Sequence, residues 1–90
     1  MSIAGIKTVT ATATAVQAGA SALSGRTQVV VQNRDDIMSI TVGATLSGAK
    51  VLGSKLEAGQ EKIFNITSGA TATIYAQSPG RAVEIGVIES

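Results

Sequence analysis

The sequence predicts an all-β protein, an antiparallel β-sandwich or small barrel of about six to eight short strands with an N-terminal β arm. Apolar residues are 44% of the 90 positions and are mostly Ala, Val and Ile, whereas charged residues are 14% and aromatic residues 2%. Branched side chains suit a pleated, half-buried sheet. Apolar residues alternate with polar ones along several segments, and turn residues interrupt them about every 8–12 positions. The length allows one domain.

The first predicted strand runs from Lys7 to Val16, with threonines on one face and Val9 and three alanines on the other. An alanine face buries little apolar area, so main-chain hydrogen bonds to another sheet edge must hold much of this strand. We therefore predict that residues 1–16 form an N-terminal arm or edge strand beside a sandwich domain of residues 17–90. The predicted interface residues are Ile3, Ile6, Thr8, Thr10, Thr12 and Thr14.

Three interpretations of this N-terminal segment stay open. An arm that crosses to an adjacent subunit is favoured, because an edge strand is a template for pairing with another chain. An ordinary strand of the protein's own sheet is the second. The third, a threonine ladder that binds an ordered lattice such as ice, needs several stacked ladders, and the sequence has one. The arm predicts that deletion of residues 1–16 leaves Arg26–Glu89 folded but abolishes assembly.

The middle of the chain predicts a loop and two hairpins. Residues 17–26 are rich in small and turn-forming residues, which favours a loop. The strand Thr27–Asn33 and the strand Ile37–Val42 flank an Asn-Arg-Asp-Asp turn, which predicts a β-hairpin. Shorter strands on either side of Ser47-Gly48 predict a second hairpin, and Gly43 interrupts the strand before it.

The last third of the sequence is the most regular. Strands are predicted for Lys62–Thr67 and Thr71–Ala76 around a Ser68-Gly69 turn, and Val83–Ile88 forms a final strand after the turn Ser78–Arg81. Phe64 and Tyr75 are the only large residues available to fill the core. The predicted core consists of Val29, Val31, Ile40, Val42, Leu46, Ile63, Ile74, Val83, Ile85 and Val87.

The sequence lacks histidine and cysteine, which removes imidazole and thiolate metal sites and the commonest general base. Asp35 and Asp36 are adjacent in a turn, and we expect Glu84 and Glu89 to face solvent. Ser54-Lys55 lies in a loop, so its side chains are not predicted to form a Ser–Lys dyad. The chain is predicted not to be an enzyme, with no catalytic residue, cofactor or metal.

Nucleic-acid and membrane partners are not predicted either. The formal net charge is +1, and Arg26, Arg34 and Arg81 are spread over three loops without aromatic residues for base stacking. The glycines form no phosphate-binding motif. No segment is as long and apolar as a membrane helix, and the N-terminus has no signal-peptide pattern, so we expect a soluble protein that is not exported by the general route.

Six segments carry a resemblance to a known group of proteins. They are Ala22–Arg26, Val29–Asn33, Ile40–Gly43, Leu56–Gln60, Ile74–Ala76 and Val83–Glu89. In their order and turn residues these segments resemble the small β-sandwich accessory structural proteins of tailed-bacteriophage virions, of the head-decoration and head-fibre type. The resemblance spans roughly Ala22 to Glu89, and the segment Lys7–Val16 is not part of it.

The resemblance implies a non-enzymatic viral structural protein. We expect a multi-copy protein, made in the host cytoplasm, that decorates or stabilises the head on the capsid surface of the virion. Its expected partners are itself, as a homo-oligomer, and a major capsid or other virion protein. One alternative is a tail or head–tail adaptor component of the same particle. Another is a free-standing carbohydrate- or protein-binding module, although sugar-binding modules present exposed aromatic platforms and this chain has two aromatic residues.

Overall fold

The structure, a computed structural model, describes residues 2–20, 22–23, 25–66 and 73–90. Within these ranges the chain forms antiparallel strands in two sheets, with no helix and thus none that could cross a membrane. The all-β sandwich predicted from the sequence is confirmed. The strands are β1 (Ile3–Val9), β2 (Thr14–Ala15), β3 (Gln28–Asn33), β4 (Ile40–Ser47), β5 (Lys50–Leu56), β6 (Glu61–Asn65), β7 (Tyr75–Gln77) and β8 (Val83–Glu89).

The first sheet has the strand order β1-β8-β3-β6, and the second has the order β2-β7-β4-β5. The C-terminal strand β8 is central in the first sheet because it pairs with β1 on one side and with β3 on the other. Its alternation is as predicted: Val83, Ile85 and Val87 are buried, and Glu84 is exposed. Branched residues at every second position suit a strand with one face in the core.

The N-terminal segment is divided between the two sheets. β1 pairs antiparallel with β8 from Ile3 to Val9, so these residues form an edge strand of the protein's own sheet. The chain then crosses over, and Thr14–Ala15 pair with β7 in the second sheet. The predicted continuous strand from Lys7 to Val16 is therefore wrong, and so is a threonine ladder on one face. Alternation of small residues fits either sheet, and it does not reveal where a chain changes sheets.

The predicted hairpin between β3 and β4 is also wrong, because the two strands lie in different sheets. The turn after β3 is present, but it is a corner of the sandwich. Asn33 is fully buried there, and its Nδ2 donates to the carbonyls of Met38 (2.8 Å) and Leu56 (3.1 Å). β3 pairs instead with β6 and β8. Turn chemistry alone does not distinguish a hairpin from a corner between sheets.

The second hairpin is confirmed. β4 and β5 pair from Ile40↔Leu56 to Ser47↔Lys50, and Gly48 has the positive φ of 61° that this turn needs. The register shifts between Val42 and Thr45, where the predicted interruption at Gly43 occurs. A Cβ on Gly43 or Gly53 would overlap the backbone of the opposite strand, so the two strands approach here only because both residues are glycine.

The core lies between the sheets and contains most of the predicted residues, together with Val9, Val16 and Leu56. Two predicted members are wrong. Ile63 is 51% exposed because it pairs with Val30 on the outward face, and Leu46 is 39% exposed because it lies beyond the register shift. Phe64 packs partly buried against the core, as predicted. The predicted Ser68-Gly69 turn and the start of the strand Thr71–Ala76 lie outside the described residues.

Candidate functional site

The outward face of the first sheet carries a row of apolar side chains across all four strands. The register places Ala4 beside Ile88, Ile88 beside Val30, and Val30 beside Ile63. Ile63 and Ile88 are 51% and 47% exposed, and Ile6, one row further along β1, is 57% exposed. We call these five residues the apolar face. Because three exposed isoleucines lie on three strands of one sheet face, this surface is a candidate contact site for a partner.

A hollow of about 330 Å³ lies next to this row, and Gly86 is one of the residues that line it. Gly86 stands between Ile6 and Gln32 in the pairing register and has no side chain to fill the space. A Cβ added at Gly86 would be 3.5 Å from Arg34 Cδ, an ordinary contact, so the hollow can be filled without displacing backbone. Its rim includes Arg34 and Glu61, which carry opposite charges.

The predicted interface residues are not brought together. Ile6 lies on the apolar face and lines the hollow, and Thr8 is exposed two positions further along β1. Ile3 is half-buried on the inward side of the same strand. Thr10 and Thr12 are exposed in the crossing segment, where the Thr12 N–H donates to Thr10 Oγ1 (3.3 Å), and Thr14 lies in β2 of the second sheet. Ile88, Val30, Ile63 and Gly86 were missed, although outward alternation in β8 could have indicated Ile88.

The expectation that Glu89 faces solvent is wrong. Its side chain is fully buried, and Oε2 accepts from the Arg26 guanidinium at 2.7 Å. The N–H groups of Ala18 and Leu23 donate to the two carboxylate oxygens at 2.6 and 2.9 Å. Arg26 also donates to the carbonyl of Val16 at 3.0 Å. Glu89 therefore fastens the loop after β2 to the end of the central strand and closes that end of the core.

These contacts determine the charge state of Glu89. Burial on its own would raise the pKa of this carboxyl, because the charged form loses hydration. The hydrogen bonds from Ala18 and Leu23 and the Arg26 guanidinium outweigh burial and hold the pKa below its ordinary value. A buried carboxylate with three donors is satisfied, so it is a structural group rather than a free acid or base.

Asp35 serves the corner between β3 and β4 in a similar way. The N–H groups of Met38 and Ile37 donate to Asp35 Oδ2 at 2.6 and 2.9 Å, and these hydrogen bonds hold the pKa of Asp35 below its ordinary value. Arg81 adds to the effect by donating to both carboxylate oxygens, at 3.1 and 2.9 Å. The Asp35–Arg81 ion pair therefore joins the corner between β3 and β4 to the turn before β8.

The described residues contain no group of three or more acidic side chains that could hold a metal ion. The expectation that Ser54-Lys55 lies in a loop is wrong, because both residues lie at successive positions of β5. Lys55 Nζ is 3.3 Å from Glu57 Oε1. The candidate site is therefore a binding surface, the apolar face with its hollow. Comparisons with protein-family models, with curated proteins and with solved structures found no match to this chain.

Proposed function

We propose that the chain is a non-enzymatic structural protein that assembles in several copies on the capsid surface of a phage particle. The apolar face carries the proposal: its five residues span all four strands of the first sheet, and three of them are isoleucines that are about half exposed. Exposed apolar side chains are removed from water only when a partner covers them, and their burial favours association. The virion setting rests on the resemblance of six sequence segments to phage accessory proteins.

The partner on this face is a second copy of the same chain. A two-fold interface is isologous, so one surface must supply both the projecting and the receiving groups. The apolar face has both, because Ile6, Ile63 and Ile88 project from it and Gly86 leaves a hollow of about 330 Å³. Arg34 and Glu61 on the rim have opposite charges, so a two-fold arrangement allows each to approach its complement.

The carboxylates support a structural function over a catalytic one. Glu89 and Asp35 have their pKa values lowered by donors that also hold loops in place. Both aromatic side chains are half-buried, and Lys62 Nζ lies 5.5 Å from the centroid of the Phe64 ring. Neither offers the open platform of a sugar-binding module, which weakens that alternative.

Sedimentation velocity tests the self-association directly. The wild-type chain should sediment as a dimer or higher oligomer, and Ile88→Lys, which places a charge in the centre of the apolar face, should sediment as a monomer with an unchanged β-sheet circular dichroism spectrum. Ile37→Lys is the matched control, because Ile37 is 81% exposed in the corner between the sheets. A wild-type chain that is monomeric at about 100 µM, well above a micromolar Kd, contradicts the proposal.

Antibody labelling of purified phage particles tests the location. Label spread over the head is the expected result. Label confined to the tail would favour the tail or adaptor alternative, and absence from washed particles would contradict a virion function.

A further inference from the structure

A second surface lies on the opposite side of the molecule, where the β4–β5 hairpin bends. Gly43 and Gly53 allow close approach at the register shift, and the part of the hairpin beyond them lies against the side chain of Gln77 in β7. Gln77 Oε1 accepts from the Val51 N–H at 3.0 Å, and its Nε2 donates to the carbonyls of Ala49 (3.1 Å) and Ala11 (2.6 Å). One amide therefore ties the β4–β5 hairpin and the segment at Ala11 to β7.

This arrangement forms a groove of about 420 Å³ that two lysines share. Lys50 and Lys55 are five residues apart, so in a regular strand their side chains would point to opposite faces. In the folded hairpin both line the same groove. Its other lining residues are Ser39, Thr41, Gly53, Gln77, Ser78 and Pro79.

The groove holds donors that the protein itself does not use. Among the described residues, the Lys50 ammonium group and the hydroxyls of Ser39 and Thr41 have no hydrogen-bond or ion-pair partner. Lys55 pairs with Glu57 at 3.3 Å, but both side chains are more than half exposed and Glu57 does not line the groove. Among the described residues that line the groove there is no carboxylate, so Lys50 and Lys55 give it a positive potential that only the exposed Glu57 beside Lys55 offsets.

We propose that this groove binds a tetrahedral oxyanion, a phosphate or sulfate group, between Lys50 and Lys55. Ammonium groups act as point charges toward such anions, and the hydroxyls of Ser39 and Thr41 add neutral donors. The volume is within the range of small-molecule sites and leaves room for a substituent, so the anion can be free or part of a monoester. The proposal does not depend on self-association, which uses the other sheet.

Nuclear magnetic resonance titration of the full chain tests the site with three probes: inorganic phosphate, phenyl phosphate and acetate, each at constant ionic strength. Phosphate and phenyl phosphate should shift the amide signals of Ser39, Thr41, Lys50 and Lys55 in a saturable way, and acetate should not. Tighter binding of phenyl phosphate would identify a monoester as the ligand, and equal binding would identify the free anion.

Matched variants locate the effect. Lys50→Met should weaken phosphate binding at least tenfold, whereas Lys62→Met, which removes the same charge outside the groove, should leave it unchanged. Thr41→Val removes one donor with little change of shape and should weaken binding several-fold, with Thr45→Val, an exposed site on the same strand, as its control. Shifts that rise linearly with phosphate, or that Lys62→Met reduces equally, overturn the proposal. Saturation by a glutamate-rich peptide in preference to both phosphates also overturns it.

Discussion

Strand β8 carries two glutamates, and each pairs with an arginine in a very different environment. Glu84 points outward and pairs with Arg34 at 3.1 Å, with 56% and 44% of the two side chains exposed. Glu89 points inward and pairs with Arg26 at 2.7 Å, with 0% and 7% exposed. The residues are five apart, so the pleat alone places them on opposite faces. The same chemical pair is a solvated contact on one face and a structural fastening on the other.

The difference follows from dielectric screening and desolvation. An exposed pair gains little because water screens it, and its typical contribution is about 0–1 kcal/mol. A buried pair is strongly coupled, because removing one partner leaves the other charge in the core without compensation. Ala18 and Leu23 add main-chain donors to Glu89, so its loss also leaves two N–H groups unsatisfied. Substitution of Glu89 should therefore lower the free energy of unfolding much more than substitution of Glu84 on the same strand.

The largest loss of stability is expected when β1, the edge strand beside β8, is removed. Deletion of residues 1–16 takes away the seven-residue pairing of β1 and the buried valines Val9 and Val16. Each buried valine contributes about 1.5–3 kcal/mol, and a small domain has only about 5–15 kcal/mol in total, so the truncated chain should lose its cooperative thermal transition. This reverses the sequence-based expectation that Arg26–Glu89 folds alone.

Circular dichroism melting measures this outcome, with deletion of residues 1–2, which precede β1, as the control that should melt like the full chain. A truncated chain that still melts cooperatively with a β-sheet spectrum would mean that the N-terminal segment is a separable arm.

The buried pair should give the next largest effect. Glu89→Ala should lower the free energy of unfolding by about 3–5 kcal/mol, because Arg26 and two main-chain donors lose their partner in the core. Urea denaturation measures this value. Exchange of both residues for apolar ones, Glu89→Leu with Arg26→Met, should recover part of the loss, since no charge is then left buried. A cost below about 1 kcal/mol for Glu89→Ala would place Glu89 in the same class as an exposed glutamate.

The sequence contained part of this result. The period of two in Val83, Ile85 and Val87 extends to position 89, so alternation predicts that Glu89 points inward. Its charge predicts instead that the side chain faces solvent. Its partner Arg26 is 63 positions away, and nothing local indicates such a pair. The same holds for the corner after β3, whose Asn and Asp residues predicted a turn but not which sheet the chain enters. Local patterns predict strands and faces, whereas partners across the core depend on topology.

The pH dependence of stability should reveal the contribution of Glu89. The pKa of Glu89 is lowered in the folded chain, so its contribution is complete above the ordinary glutamate pKa of about 4.3 and is lost as pH falls below that value. Unfolding free energy should therefore be flat between about pH 5 and 8, where the sequence has no histidine to titrate, and should fall steeply below about pH 4.3.

Denaturation curves of Glu89→Gln and Glu84→Gln at pH 7 and pH 3 test this assignment. Glu89→Gln should be less stable at pH 7 and should lose less stability on acidification than wild type. Glu84→Gln is the matched control at the exposed glutamate of the same strand, and equal slopes for the two variants would show that Glu89 does not control the acid response. Asp35 also has a lowered pKa and contributes to the remaining slope in both variants.

The smallest effect is expected at the exposed pair, where a double-mutant cycle of Glu84→Ala and Arg34→Ala measures the coupling. At protein concentrations low enough to keep the chain monomeric, each substitution should change the unfolding free energy by less than about 0.5 kcal/mol, and the coupling should be about as small.

In about 1 M salt the Debye length falls to about 3 Å, so the coupling between Glu84 and Arg34 should vanish. Because Glu89 is fully buried and Arg26 is only 7% exposed, salt screens this pair much less, and its coupling should persist in the same salt. If both couplings fall together, burial does not distinguish the two pairs. A large coupling that survives salt at Glu84 would instead mean that a second copy of the chain shields Arg34 at the rim of the apolar face.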